Sequence, residues 1–175
     1  MKRLNIILFL LALAVLTVKA KKLKVADIFG DNMVLQQKTV TPIWGWADAG
    51  TTVTVTSSWN DKSYSAKAGR DGTWRIMLHT PEAGGPYVLT ITGDNALIFS
   101  DIYVGEVWLA SGQSNMAMQL KECYESTKAI LTSQKSNIRF INVPPLGSYK
   151  PLTDIKADWV VAAPENVGDC SAVAW

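Results

Sequence analysis

The chain contains few of the residue types from which metal and redox sites are built. Its 175 residues include one histidine, His79, and two cysteines, Cys123 and Cys170. Neither cysteine lies in a metal-ligand or redox spacing, so we predict no metal and no organic cofactor. The cysteines form either one disulfide or two free thiols. Free thiols are favoured, because a chain of this length builds a core without a cross-link.

Excess charge of either sign is also absent once residues 1–20 are set apart. Those residues hold three of the 17 Lys and Arg residues and none of the 15 Asp and Glu residues, so the remainder carries a net charge of −1. Binding to nucleic acids or other polyanions normally requires a strongly basic surface. We therefore predict no nucleic-acid partner.

Long apolar runs are confined to the N-terminus. Lys2 and Arg3 precede an apolar stretch over residues 4–16, and small residues lead to a cleavage point after Ala20. This pattern is typical of a secretory signal peptide over residues 1–20 and is shorter than a usual membrane span. We predict an exported protein, periplasmic or extracellular, without a membrane segment after cleavage. An uncleaved N-terminal anchor is the alternative.

Helical periodicity is absent from residues 23–100. Short runs rich in β-branched and aromatic residues are interrupted by turn signals about every eight to twelve residues. Residues 51–58 alternate threonine and valine, and residues 69–72 contain two glycines around a polar pair. This texture predicts a β-sandwich accessory domain over residues 21–103.

The region contains four tryptophans and the histidine, and both invite a functional interpretation. Indole faces stack on sugar rings, so a carbohydrate-binding surface is one interpretation of Trp44, Trp46, Trp59 and Trp74. Tryptophans in a small sandwich more often supply the core, which is the favoured interpretation. His79 ends a predicted strand, and we expect it to be a surface or packing residue.

A strand, a tight turn and a helix start are predicted from residue 104 onward. The mostly apolar residues 104–110 predict a buried strand of a parallel sheet, and a small corner follows. Ser114 and Asn115 are good N-cap types ahead of a helix predicted over residues 116–131. A serine at the start of a helix is well placed for ester cleavage, because the helix N-terminus stabilises the oxyanion that its attack creates. On spacing alone, a capping role for both residues is the alternative.

Five blocks of the sequence carry a resemblance to a known family. Residues 105–116, GEVWLASGQSNM, resemble the first signature block of the sialate O-acetylesterase family, a branch of the SGNH hydrolases related to acetylxylan esterases. Residues 29–37, 42–47 and 71–74 are similar to the accessory β-domain of that family. A fifth stretch, residues 165–174, is similar to a block that precedes a long helix in the family.

The resemblance implies a catalytic role for the serine segment. It assigns Ser114 as the nucleophile, with its backbone N–H as one oxyanion donor and with Gln113 and Asn115 supporting the turn. It also implies that residues 104–175 begin an α/β three-layer hydrolase domain of the SGNH, flavodoxin-like type. Within this region the residue pattern itself predicts a strand at residues 138–143 and a short extended piece at residues 159–162. About seventy residues are too few to complete such a domain.

The family's remaining oxyanion donors and its Asp-x-x-His pair lie further along than the matched blocks, and no Asp-x-x-His occurs in this sequence. We therefore expect the N-terminal portion of an exported carbohydrate O-acetylesterase, which is inactive alone. Its substrate would be an O-acetylated sugar, sialic acid first and acetylated xylan second. The alternative is a non-catalytic carbohydrate-binding or scaffolding β-sandwich fragment.

Overall fold

The computed structural model describes residues 22–135 and 137–175, and the predicted signal peptide lies outside them. The strands are β1 (Lys24–Val25), β2 (Val34–Gln36), β3 (Val40–Trp46), β4 (Thr52–Ser57), β5 (Ser63–Lys67), β6 (Thr73–His79), β7 (Gly84–Thr92), β8 (Ala96–Gly105), β9 (Arg139–Ile141) and β10 (Trp159–Val161). The helices are α1 (Ser114–Ala117) and α2 (Ser126–Thr132), with 3-10 turns at Leu120–Glu122, Ser133–Lys135 and Val167–Asp169. Within these described ranges, no helix is long and apolar enough to cross a membrane.

The first eight strands form two sheets. One sheet has the order β1-β3-β6 and is antiparallel throughout. The other has the order β2-β8-β7-β4-β5, in which only the pairing of β2 with the end of β8 is parallel. The mostly β-strand architecture predicted for this region is therefore confirmed.

Both sheets contribute to a single apolar core. In β6 the side chains of Trp74, Ile76 and Leu78 are buried, while their neighbours in the strand are exposed. In β4 the buried apolar positions are Val53 and Val55. This alternation follows from the strand geometry, in which successive side chains lie on opposite faces. Each such side chain stabilises the fold by about 1.5–3 kcal/mol relative to an exposed one.

Glycines permit two features of the three-stranded sheet. A Cβ atom on Gly45 would lie 2.0 Å from the carbonyl oxygen of Lys24, so only glycine allows β1 to pair this closely with β3. Gly72 has a φ of 83° in the turn that enters β6. The Asp71 carboxylate completes this turn by accepting hydrogen bonds from the backbone N–H and the hydroxyl of Thr73.

The tryptophans divide between the core and its margin. Trp74 is buried, as the favoured interpretation predicted, whereas Trp44, Trp46 and Trp59 are partly buried against the core. Trp59 packs edge-on against Tyr87, with ring centroids 5.5 Å apart. The margin tryptophans thus keep part of their surface accessible.

The second region, after β8, is less regular than predicted. The single helix predicted over residues 116–131 is wrong, because the chain is extended at Met118, Gln119 and Cys123 and left-handed at Glu125, which divides it into α1, a 3-10 turn and α2. A small core of Leu120, Ala162, Val167 and Cys170 holds these pieces together.

Strands β9 and β10 occupy the predicted positions but pair with each other in antiparallel fashion, with Ile141 opposite Trp159. The parallel α/β sheet therefore stays a prediction. Cys123 and Cys170 are free thiols, and burial raises the pKa of Cys170.

The second region packs back onto the first through two indole groups. The Trp159 indole N–H donates to the Ile28 carbonyl at 2.8 Å. In the opposite direction, the Trp44 indole N–H donates to the Thr153 carbonyl at 3.0 Å. Each bond satisfies the one polar atom of a largely apolar side chain.

A carboxylate reinforces this contact. Asp154 accepts hydrogen bonds from the Lys24 ammonium at 2.9 Å and from the Asp27 backbone N–H at 2.7 Å. Burial raises the pKa of Asp154, but these donors outweigh burial and hold the pKa below its ordinary value. The same pairing raises the pKa of Lys24.

An arginine forms a third link between the regions. The Arg139 guanidinium donates to the Asp101 carboxylate at 2.8 Å and lies 3.8 Å from the centroid of the Tyr103 ring. The Arg139 side chain is only 4% exposed. A cation this deeply buried depends on its carboxylate and aromatic partners.

Candidate active site around Ser114

The segment that leads to the candidate nucleophile is exposed and irregular. The buried strand predicted over residues 104–110 is wrong beyond Gly105, where β8 ends. The side chains of Trp108 and Leu109 are 86% and 91% exposed. A strand of a parallel sheet needs a hydrogen-bonded neighbour and apolar cover, and the described residues provide neither for residues 106–110.

Two glutamines anchor the start of this segment to the β region. The side-chain amides of Gln36 and Gln37 donate to the Glu106 carboxylate at 3.1 and 2.6 Å. The backbone N–H of Val107 donates to the Gln36 side-chain oxygen at 2.8 Å. The hydrogen bonds from Gln37, and then from Gln36, lower the pKa of Glu106. Two blocks that carry the family resemblance therefore contact each other here.

Ser114 is the first residue of α1, a helix of one turn. The N-cap is Gln113, whose side chain makes no capping hydrogen bond, and its backbone carbonyl accepts from Met116 and Ala117 at 3.0 and 3.2 Å. The prediction that Ser114 and Asn115 are N-caps is therefore wrong. A single turn has little macrodipole, so the helix-dipole argument for oxyanion stabilisation fails in this structure.

Ser114 and its neighbours are accessible to solvent. The side chains of Gln113, Ser114 and Asn115 are exposed, and none of them makes a hydrogen bond within residues 22–135 and 137–175. Gln113 supports the turn through its backbone carbonyl alone. An exposed serine hydroxyl is open to a substrate but carries its proton at neutral pH.

The turn that contains Ser114 is held by a later part of the chain. Met116 accepts a hydrogen bond from the Ser171 hydroxyl through its sulfur at 3.2 Å. The Ala172 backbone N–H donates to Met118 at 2.9 Å, and Leu120 donates to Cys170 at 2.9 Å. Residues 170–172 belong to the block of residues 165–174 that carries the family resemblance. The proximity of this block to the serine was not predicted. The only sequence signal for it was that both blocks resemble the same family.

None of the residues that the structure describes supplies a catalytic base to Ser114. His79 lies at the end of β6, where its exposed ring stacks on Tyr64 with centroids 6.1 Å apart. In the part of the chain that the structure describes, no three metal-ligating side chains cluster together. The site therefore consists of an accessible serine on an anchored turn.

Comparison with known proteins identifies relatives along most of the chain. Human sialate O-acetylesterase is 32% identical over 170 residues, which are 86% of this chain and 32% of that protein. The rat protein of the same name is 30% identical over 169 residues, 86% of this chain and 31% of that protein. No model of a known protein family matches the chain.

A solved structure agrees with these relatives. A carbohydrate acetylesterase from Xanthomonas citri superimposes with a TM-score of 0.82 and 32% identity, over 87% of this chain and 35% of that one. The chain thus spans about a third of the length of its relatives. Over the part that it spans, the chain is a homologue of sialate O-acetylesterases and of a carbohydrate acetylesterase, whose names describe carboxylic ester hydrolases.

Proposed function

We propose that this chain carries the nucleophile of an exported carbohydrate O-acetylesterase. The observation that carries the proposal is its 32% identity to human sialate O-acetylesterase over 86% of the chain. Ser114 lies in the block that resembles the family's nucleophile segment, and its hydroxyl is accessible. An accessible serine on an anchored turn suits attack on an ester carbonyl.

The proposed reaction has two steps. The Ser114 Oγ attacks the acetyl carbonyl, and the sugar oxygen leaves with a proton, so the acetyl group is transferred to the enzyme. Water then attacks the acetyl-enzyme, which releases acetate and restores the serine. A base must take the Ser114 proton, and the family's histidine is proposed to be that base. The Ser114 N–H is the proposed oxyanion donor, with Gln113 and Asn115 supporting the turn.

The proposed substrate is an O-acetyl group on sialic acid. The human relative's name specifies a sialate, whereas the bacterial relative is described only as a carbohydrate acetylesterase. Acetylated xylan is therefore the second candidate. No nucleic-acid partner and no cofactor are proposed.

The proposed domain organisation follows the contrast between the two regions. We assign residues 21–103 to a β-sandwich accessory domain, since two sheets share one core there. Residues 104–175 are assigned to the start of an α/β hydrolase domain. Residues 1–20 are proposed to direct export to the periplasm or the outside of the cell.

A second candidate function is a non-catalytic carbohydrate-binding or scaffolding fragment. The observation that favours it is the lack of any hydrogen-bonded base on Ser114 within the described residues. This candidate assigns all binding to the β region and predicts that the serine is dispensable.

An esterase assay separates the two candidates. In a form of the protein that includes a histidine base, Ser114→Ala is expected to lower hydrolysis of 4-nitrophenyl acetate and of O-acetylated sialic acid by about three powers of ten or more. Ser126→Ala, on α2, is the matched control and should retain activity. Residues 21–175 alone should show no enzyme-like turnover, since the serine lacks a base. A loss below about tenfold for Ser114→Ala would favour the non-catalytic candidate.

A further inference from the structure

The outer face of the three-stranded sheet carries an aromatic and basic surface. Trp46 on β3 lies opposite Lys24 on β1 and Thr73 on β6, and Trp44 lies opposite Arg75. Their neighbours along each strand are buried, so these five side chains share the outward face. Trp44 and Trp46 pack against the core with part of each indole and keep the rest accessible on this face.

A cavity of about 440 Å³ lies on this face. Its lining includes Trp44, Trp46, Thr73, Arg75 and Lys67 from β5, and no acidic side chain of the described residues lines it. This volume is within the range of small-molecule sites, which combine apolar walls with a few polar groups. None of the lining residues belongs to the serine segment.

The basic groups around the cavity differ in whether their charge is already paired. Lys24 lies 5.4 Å from the Trp46 ring centroid, but Asp27 and Asp154 neutralise its charge. Arg75 lies 5.9 Å from the Trp44 centroid, and neither Arg75 nor Lys67 makes an ion pair with a described acidic residue. Arg75, next to the Trp44 ring, and Lys67, elsewhere in the cavity lining, are therefore both available to a ligand.

We propose that this cavity is a binding site for a carboxylate-bearing saccharide. The apolar face of a pyranose ring packs on the Trp46 indole, and the sugar carboxylate pairs with Arg75 and Lys67. The planar guanidinium of Arg75 binds a carboxylate through two parallel hydrogen bonds. A neutral sugar would leave both cations unpaired, whereas an aliphatic acid would leave the indole face uncovered. The identification of the ligand as a sugar rests on the proposed function.

Binding can be measured on the whole chain without any turnover. The probes are sialyllactose and its methyl ester, which has the same shape but no carboxylate, in a titration followed by tryptophan fluorescence. Sialyllactose should bind more tightly than the ester, and its affinity should fall with added salt because the ion pairs are near the surface. Equal affinity for both probes, or no binding of either, would overturn the proposal.

Variants locate the site. Arg75→Ala should weaken sialyllactose binding by about tenfold or more and leave ester binding unchanged, because only the charged hydrogen bonds are lost. Trp46→Ala should weaken binding of both probes. If circular dichroism shows that this variant is unfolded, Trp46→Phe is used in its place. Lys62→Ala, an exposed cation outside the cavity, is the matched control. An equal loss for Lys62→Ala and Arg75→Ala would also overturn the proposal.

Ser114→Ala separates this site from the proposed catalytic one. The variant should bind sialyllactose as the wild-type chain does, since Ser114 lies outside the cavity. An inactive esterase with intact sialyllactose binding would contradict the proposed function alone. An active esterase whose sialyllactose binding is unaffected by Arg75→Ala would contradict the binding site alone.

Discussion

Strand β6 and the segment of residues 106–113 both contain large apolar side chains, but most of these are buried in β6, whereas those of the segment are exposed. In β6, buried and exposed side chains alternate from Thr73 to His79. In the segment, every residue is exposed, including Trp108 and Leu109. Strand β6 is hydrogen-bonded to β3 along its whole length, whereas no strand of the described residues pairs with the segment.

The difference between the two regions extends beyond these segments. Among the described residues, 17 large apolar side chains are exposed, and 13 of them lie after residue 105, although this region is shorter than the β region. Apolar composition alone does not produce a strand, because its backbone and its side chains need partners. The first region therefore holds most of the stability, and the second holds the candidate chemistry.

Limited proteolysis should give the largest contrast between the regions. Residues 106–113 have no backbone ladder, so a protease reaches them without unfolding the core. We expect cleavage there about a hundredfold faster than in β1–β8, with a folded fragment ending near residue 105. Mass spectrometry of the fragments measures this. Earlier cleavage in the turn between β4 and β5 would contradict the assignment of stability to the first region.

Core truncations compare the two regions directly. Leu78→Ala removes a fully buried side chain and should cost about 2–5 kcal/mol in denaturant unfolding followed by tryptophan fluorescence. Leu120→Ala should disrupt only the small second core and leave the main transition in place. Met77→Ala, next to Leu78 but exposed, should change stability by less than about 0.5 kcal/mol. An equal loss for Leu120→Ala and Leu78→Ala would indicate one cooperative unit.

The local sequence pattern predicted the β region well, because the residues that look like strands there are also hydrogen-bonded to neighbouring strands. The alternation in residues 51–58 corresponds to β4, whose partner β5 follows directly in the sequence, and the glycine turn before Thr73 marks the start of β6. The local pattern could not predict where β8 ends and the serine block begins. An apolar run has the same appearance whether or not a partner strand is present, so residues 106–110 were predicted as buried.

The candidate site was predicted as a set of residues but not as an arrangement. The family blocks assigned Ser114 as the nucleophile, which stays a prediction, and they contained Gln36 and Gln37 without linking them to Glu106. The hydrogen bonds between blocks depend on tertiary packing, which no spacing rule contains. The left-handed backbone of Glu125, which contributes to the division of the predicted helix, is likewise invisible to helical periodicity.

The ion pair of Arg139 and Asp101 should contribute more to the free energy of unfolding than a surface ion pair of the same length. Both it and the Lys38–Glu82 pair have an N–O distance of 2.8 Å, but Lys38 and Glu82 are 61% and 81% exposed. Asp101→Asn leaves the buried guanidinium without its anion and should cost about 1–3 kcal/mol. Glu82→Gln should cost less than about 0.5 kcal/mol. Equal costs in thermal unfolding would indicate that Arg139 is solvated.

The smallest expected effect concerns Glu106, where the two regions join. Its lowered pKa means that the folded state favours the carboxylate, so this contribution is present above the ordinary pKa of 4.5 and is lost as the pH falls through the folded value. Glu106→Gln has one acceptor oxygen for two glutamine donors, so one hydrogen bond is lost. Amide exchange of Val107, which donates to Gln36, should become a few-fold faster in the variant, whereas Glu165→Gln should leave it unchanged. The difference between wild type and Glu106→Gln should narrow in acid, since protonation removes the same acceptor. A Val107 exchange rate that is identical in both proteins at neutral pH would mean that the glutamines do not hold the serine segment to the β region.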